Sequence, residues 1–325
     1  MSDILRKYEN KRNLALSNAE KKKEELYAKV PRLQEIEDTI NKFSIKSVKS
    51  ILLADANEKD KVMEEFNTEI KKLKSEKSNI LKSLGLNEDY LKPSYNCPLC
   101  EDTGYIVTEY SNKMCNCLKQ ELLNIAYNKS NLNNLSAENF STFNFNKYSD
   151  KVDYDKYNIN ISPRDNMKNI LKIVKNFIYN FDNTAQKNLL FTGNTGLGKT
   201  FLSNCIANEI LNINKTVLYQ TAPIMLDSII DYRFNRNNGE IYNYILSVDL
   251  LIIDDLGTES MNSLKFTELF NIINSRILSN NTKTLISTNL SVNELLKNYD
   301  ERIFSRFAGN YDICRFFGDD IRLMK

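Results

Sequence analysis

Residues Gly193, Asn194, Thr195, Gly196, Leu197, Gly198, Lys199 and Thr200 satisfy the pattern G-x-x-x-x-G-K-[ST] at every position. They sit between a short apolar strand, Asn188–Thr192, and a run with helical spacing, Lys199–Leu211. Gly193, Gly196 and Gly198 allow backbone torsions that a Cβ would forbid, so successive N–H groups can turn toward one cradle. The helix start directs its positive dipole end at the same point. Lys199 supplies a point charge for the β- and γ-phosphates of a bound nucleotide, and the Thr200 hydroxyl is placed for Mg²⁺. A Gly-rich turn that merely ends in Lys-Thr would not need a strand before it and a helix after it.

The rest of the C-terminal half keeps this alternation. Strands are expected at Thr216–Gln220, Leu250–Ile253, Thr284–Ser287 and Asp312–Phe316. Helices are expected at Ile224–Phe234, Leu264–Leu278 and Val292–Lys297. Strands alternating with helices predict an α/β fold, a parallel sheet with helices on both faces. The strand at 250–253 ends in Asp254 and Asp255, and two carboxylates at the end of a buried strand need a cation or donors. Asp254 is assigned to Mg²⁺ and Asp255 to the attacking water. A cap on the turn Leu256-Gly257 is their plainer use. Asn289 ends the strand at 284–287, where it can hold a γ-phosphate or the water, or simply cap a helix. Arg302 and Arg306 lie four apart and share a helix face. They suit γ-phosphate charge, or a local salt bridge to Asp300 or Glu301.

The 44 Lys+Arg and 42 Asp+Glu nearly balance, so nucleic acid can be met only through a local patch. Tyr232-Arg233-Phe234-Asn235-Arg236 is one candidate for single-stranded DNA, through stacking and charge, although a solvated helix end is its plainer reading. The chain has no His, so acid–base and metal-ligand roles fall to carboxylates and thiols. Cys97, Cys100, Cys115 and Cys117 lie within twenty-one residues and suit a tetrahedral Zn²⁺, with redox chemistry as the alternative use. Cys205 and Cys314 read as buried. Residues 1–92 carry apolar positions at helical spacing, among them Val30, Leu33, Ile36 and Ile40, then Met63, Phe66, Ile70, Leu73, Ile80 and Leu84. Pro31 should start or bend a helix. A helical hairpin or coiled coil, and a docking module for a partner protein, fit this stretch equally. Four regions result: 1–92 helical, 93–126 zinc-binding, 127–165 a linker anchored by Phe140, Phe143, Phe145 and Tyr148, and 166–325 the phosphate-binding domain. The charged N-terminus is unlike a signal peptide and the apolar runs are too short to span a membrane, so a cytoplasmic location is expected.

The chain resembles the bacterial replicative helicase loaders of the DnaC and DnaI type, within the AAA+ P-loop ATPases. The resemblance rests on Ser162-Pro-Arg-Asp-Asn-Met, Leu251-Ile-Ile-Asp-Asp-Leu-Gly-Thr-Glu259 and Glu301-Arg-Ile-Phe-Ser-Arg-Phe, and covers about 102–325. It implies an ATPase core without a C-terminal helical lid, in keeping with the nineteen residues that follow Arg306. Asn289 would then be the sensor 1 residue. Arg306, or failing it Arg302, would be the finger that reaches a neighbouring subunit, so self-assembly is implied. Arg322 would stand in for sensor 2, and the region around Pro163 would hold the adenine side. The implied partner is the hexameric replicative helicase, docked by the zinc and helical parts. A transposition helper of the IstB type shares such a core but should lack the four cysteines. An ATP-gated scaffold with negligible hydrolysis is the third reading, kept open by Asp255 in place of the more usual Glu.

Overall fold

The computed structural model describes residues 2–53, 59–108, 111–126, 135, 137–235, 239–279 and 281–323. It divides into two compact units, Met1–Cys115 and Asn116–Lys325. The first holds helices α1 (Ser2–Lys29), α2 (Pro31–Leu53) and α3 (Lys59–Ser83) and a hairpin of β1 (Tyr105–Val107) and β2 (Asn112–Met114). Pro31 opens α2, where a fixed φ and a missing N–H cost nothing. α2 and α3 run antiparallel: Arg32 pairs with Glu76 at 2.8 Å, Lys77 with Glu37, and the Phe43 and Phe66 rings meet at 6.0 Å. Leu26, Leu33, Leu81 and Leu91 form the small core. The sequence pattern put Leu84 on the buried face, but it is 46% exposed. The helix ends at Ser83 and Gly85 turns left-handed, so Leu81 fills the core instead. The side chain of Met63 lies outside the described residues. No described helix is long and apolar enough to cross a membrane.

The second unit contains α4 (Asn116–Ala126), α5 (Tyr154–Tyr157), α6 (Pro163–Tyr179), β3 (Asn188–Thr192), α7 (Lys199–Asn212), β4 (Val217–Thr221), α8 (Ala222–Asn235), α9 (Gly239–Ser247), β5 (Leu250–Leu256), α10 (Ser263–Leu278), β6 (Lys283–Thr288), α11 (Val292–Asn310) and β7 (Tyr311–Arg315). The strands make one parallel sheet in the order β4-β5-β6-β3-β7. β3 to β6 are buried on both faces, as a doubly covered parallel sheet requires, whereas the edge strand β7 exposes Ile313 and Arg315. Leu190, Leu218, Leu251, Ile253 and Ile286 face a core shared with α8 to α11. Leu189, Phe191, Tyr219, Ile252 and Leu285 face one shared with α6 and α7. This is the predicted α/β fold.

Four helices of this unit have no counterpart in the sequence analysis: α4 inside the zinc-binding stretch, α5 inside the linker, and α6 and α9. α6 begins inside the stretch taken for a linker, capped by Ser162 onto the Asp165 N–H, with Pro163 in its first turn. Phe143 and Tyr148, stacked at 6.0 Å, join the core beneath it, so the aromatic anchors hold that stretch to the sheet unit. α9 is held by Arg276 of α10, which is only 2% exposed. Its guanidinium donates to the carbonyls of Ile245, Val248 and Lys283 and to the Thr284 hydroxyl at 2.6–3.1 Å. One side chain thereby ties the end of α9 to the start of β6. Arg276→Ala would strand those carbonyls and leave a void, and urea denaturation should show a loss of about 3 kcal/mol or more.

Candidate nucleotide site and metal centre

The phosphate-loop residues, Asp254, Asp255 and Asn289 all lie at the carboxyl ends of β3, β5 and β6, three adjacent strands. That is where parallel sheets place ligands. Thr195 to Phe201 line a cleft of about 430 Å³ with Glu138, Lys147, Asp255, Asn289, Ile321 and Arg322. The glycines are there because the chain has no room for side chains. A Cβ on Gly193 (φ +140°) would meet the Phe316 carbonyl oxygen at 2.2 Å, and one on Gly196 (φ +73°) would meet the Asp320 carboxylate at 2.1 Å. Gly198 opens α7 in the left-handed region.

Lys199 is 6% exposed. Its ammonium donates to the carbonyls of Gly193 and Asn194 and to Asn289 Oδ1, at 2.6, 2.7 and 2.8 Å. Burial pulls its pKa down to about 8, and the carboxylates of Asp255 and Asp254 oppose the fall. Thr200 Oγ1 donates to Asp254 at 3.2 Å. The same carboxylate accepts Tyr219 Oη at 2.7 Å, the Ser287 hydroxyl and the Asp255 N–H. Consecutive residues of a strand normally face opposite sides. A register shift against β6 between Ile253 and Leu256, with Asp255 at φ +56°, breaks that alternation, so that Asp255 lines the cleft while Asp254 stays buried against Thr200. Burial and the neighbouring Asp254 raise the Asp255 pKa, against the pull of Lys199 and a hydrogen bond from Asn289. Asn289 therefore bridges the ammonium and the second carboxylate, a contact the strand pattern alone did not reveal.

The C-terminal segment closes over the loop. Ile321 N–H donates to the Gly196 carbonyl at 2.9 Å, and Arg322 reaches the cleft while paired to Asp320 at 2.6 Å. Tyr148 Oη reaches the Leu197 carbonyl at 3.3 Å, and Pro163 lies beside Gly318. The sequence reading missed Glu138, Lys147, Tyr148 and Asp320 because no motif contains them. Arg302 and Arg306 are both on α11, as expected, and neither lines the cleft. Arg306 donates to Asn274 Oδ1 at 2.9 Å and lies over the Phe270 ring, as does Arg302. In the candidate DNA segment, Arg233 grips the buried Glu268 with two bonds, at 2.9 and 3.1 Å, and lies over Tyr242. Arg236 lies outside the described residues. Cys205 and Cys314 are buried, and burial pushes both thiols up to about 12.

The sulfurs of Cys97, Cys100, Cys115 and Cys117 all lie within 4.8 Å of one another, and three of the four residues are buried. Cys97 and Cys115 Sγ are 3.8 Å apart. Four thiolates about 2.3 Å from a Zn²⁺ make a tetrahedron with edges of about 3.8 Å. Asp102 accepts the N–H groups of Asn96 and Cys97 at 2.9 and 2.8 Å, and Gly104 donates its N–H to Cys100 Sγ at 3.4 Å. These bonds fix the turn and offset thiolate charge, as around a metal knuckle. The donor set fits Zn²⁺.

Residues 166–313 match the family model of the bacterial DnaA ATPase domain. This segment is similar to the ATPase domain of DnaA, an AAA+ domain. The chromosomal replication initiator protein DnaA of Streptococcus agalactiae is 33% identical over 129 residues, covering 38% of this chain and 28% of that protein. The replicative helicase loader DnaC of Escherichia coli is 29% identical over 140 residues, covering 42% of this chain and 56% of DnaC. The chain thus spans about a quarter of the DnaA relative and just over half of DnaC. The crystal structure of a DnaC helicase loader overlays with a TM-score of 0.46 at 18% identity, covering 57% of this chain and 99% of that one.

The depressed Lys199 pKa sets a pH dependence for any phosphate ligand of this domain. The charged ammonium is what a phosphate binds, and in the free site it is lost as pH rises through about 8. ATP affinity measured by calorimetry should therefore hold from about pH 6 to 7.5 and weaken above 8, by up to about tenfold per pH unit. Proton uptake should accompany binding at about pH 9. Affinity that stays flat well above pH 8 would show that Lys199 does not meet the ligand.

Proposed function

We propose that this protein is an ATP-dependent loader of the replicative DNA helicase, which binds and hydrolyses ATP with Mg²⁺ to assemble, remodel or release its partner. The observation that carries the ATPase part is the convergence of Lys199, Thr200, Asp255 and Asn289 in one cleft, with Asp254 bonded to Thr200 at its wall. The loader part is supported by the motif phrasing and by DnaC among the relatives, a protein named as a helicase loader.

In this reading the backbone of Gly193 to Gly198 cradles the phosphates. The Lys199 ammonium exchanges its two loop carbonyls for β- and γ-phosphate oxygens. Thr200 and Asp254 hold Mg²⁺, which would neutralise phosphate charge. Tyr219 and Ser287 keep Asp254 oriented by donating to it. Asp255, more basic than an exposed carboxylate, orients the attacking water and takes its proton. Asn289 spans Lys199 and Asp255, where it can meet the γ-phosphate and hold the base in register. Arg322 approaches the same phosphates from the C-terminal segment. Arg306 serves a neighbouring copy, since its own cleft does not include it. The cysteines hold one structural Zn²⁺, and the zinc and helical regions, 1–92 and 93–126, dock on the helicase. Single-stranded DNA is a further contact, carried by Tyr232 and Phe234 more than by Arg233, which is committed to Glu268.

Two experiments test this. Metal analysis of the purified chain should give one Zn²⁺ per molecule, with Cys97→Ser losing it; a well-folded native protein without zinc refutes that site. Lys199→Ala should abolish ATP binding, whereas Arg306→Ala should keep it and lose turnover by about 10³-fold, as arginine fingers do elsewhere. Mixed together, the two variants should regain part of the activity, and co-purification with the host helicase should accompany it. Absence of recovery in proven mixed assemblies would return Arg306 to its local bond with Asn274.

A further inference from the structure

The turn that carries Asp255 is fastened to the helix that carries both arginines. Beyond Asp255 the chain turns sharply, with the Thr258 N–H and hydroxyl donating back to the Asp255 carbonyl at 3.2 and 2.8 Å. Gly257, at φ +104°, lies so close to Leu290 that a Cβ there would meet it at 2.6 Å. Glu259 then folds inward and is 9% exposed. One of its oxygens accepts the Gly257 N–H at 2.8 Å, and the other accepts the hydroxyl of Tyr299. Tyr299 is 1% exposed, in the middle of α11. Arg302 and Arg306 follow it by three and seven residues, which places all three on one side of the helix. Both arginines lie over Phe270 of α10. A buried carboxylate joined to a buried phenol is costly unless both bonds are made, so the pair holds one arrangement and resists intermediate ones.

We propose that the Glu259–Tyr299 bond is a positioning link that transmits the state of Asp255 to the arginine face of α11. It rests on the ATPase reading above and adds to it the route between the cleft and the surface offered to a second copy. Tyr299 lines no part of the cleft. Its role is to set where Arg302 and Arg306 stand when the Asp255 turn responds to nucleotide.

The test compares the full chain with Tyr299→Phe, which removes one hydroxyl, and with Glu259→Gln, whose amide can still bond both partners. ATP affinity, steady-state turnover and hydrogen exchange across residues 292–310 are measured with and without a non-hydrolysable ATP analogue. The wild type should show nucleotide-dependent protection of 292–310. Tyr299→Phe should bind ATP within about twofold of wild type, lose that protection change, and lower kcat by about tenfold at unchanged KM, within the range for residues that couple two sites. Glu259→Gln should recover most of both losses. Unchanged kcat and protection in Tyr299→Phe would overturn the link. So would equal losses of affinity and turnover, which would mark the pair as structural only. A wild type that binds no ATP would instead sink the ATPase reading, and the link with it.

Discussion

Everything in the candidate site hangs on the carboxylate of Asp254. It is 4% exposed and gathers donors from four places: Thr200 at the start of α7, Tyr219 on β4, Ser287 on β6, and the next N–H of its own strand. A lone carboxylate at that depth would be strongly disfavoured. Surrounded by hydroxyls, it ties three strands to the phosphate-loop helix. In the proposed reading the lone pairs that face Thr200 are also those a hydrated Mg²⁺ would need. Asp255 is placed by the same strand through the opposite device, a break in regularity. Its left-handed backbone and the slipped register with β6 give up local stability to bring a second carboxylate beside the first.

From that node the contacts extend outward in two steps. Asn289 joins Lys199 to Asp255, so the buried ammonium and the second carboxylate are held together. The Glu259–Tyr299 pair then joins the Asp255 turn to α11. On the opposite side, the segment from Phe316 to Leu323 folds back on the loop, with Phe316 N–H on the Thr192 carbonyl and Ile321 N–H on that of Gly196. The phosphate loop is thus held from both flanks before any ligand arrives, which lowers the ordering cost of binding.

The sheet and its site were legible in the sequence to an unequal degree. β3, β5 and β6 announced themselves as apolar runs ending in functional residues, and their neighbours Gly193, Asp254 and Asn289 could be placed at once. α7 and α10 followed from helical spacing. α6 was legible too, through Ser162 as a cap, Pro163 in the first turn and Met167, Ile170, Leu171, Val174 and Phe177 at helical intervals, but the Asn-rich run before it drew the boundary too late. α9 starts at a glycine and depends on Arg276 from another helix, a contact no local pattern contains. The spacing of α10 showed a helix but not that Arg276 is buried, because a charged side chain is rarely buried without an acid. The loop contacts of Asp320, and of Tyr148, which read only as a linker anchor, were hidden for a similar reason. Both residues matter through tertiary contact with Gly196 and Leu197, and only the fold brings them there.

The central claim is that Asp254, held by this ring of hydroxyls, is where the nucleotide's Mg²⁺ is bound. ATP affinity of the wild type and of Asp254→Asn, each titrated with and without Mg²⁺, tests it directly. The substitution keeps shape and burial and removes the charge. Mg²⁺ should tighten ATP binding by the wild type. The Asp254→Asn variant should match the wild type without Mg²⁺ and gain little or nothing when Mg²⁺ is added. An equal gain from Mg²⁺ in both proteins would contradict the claim.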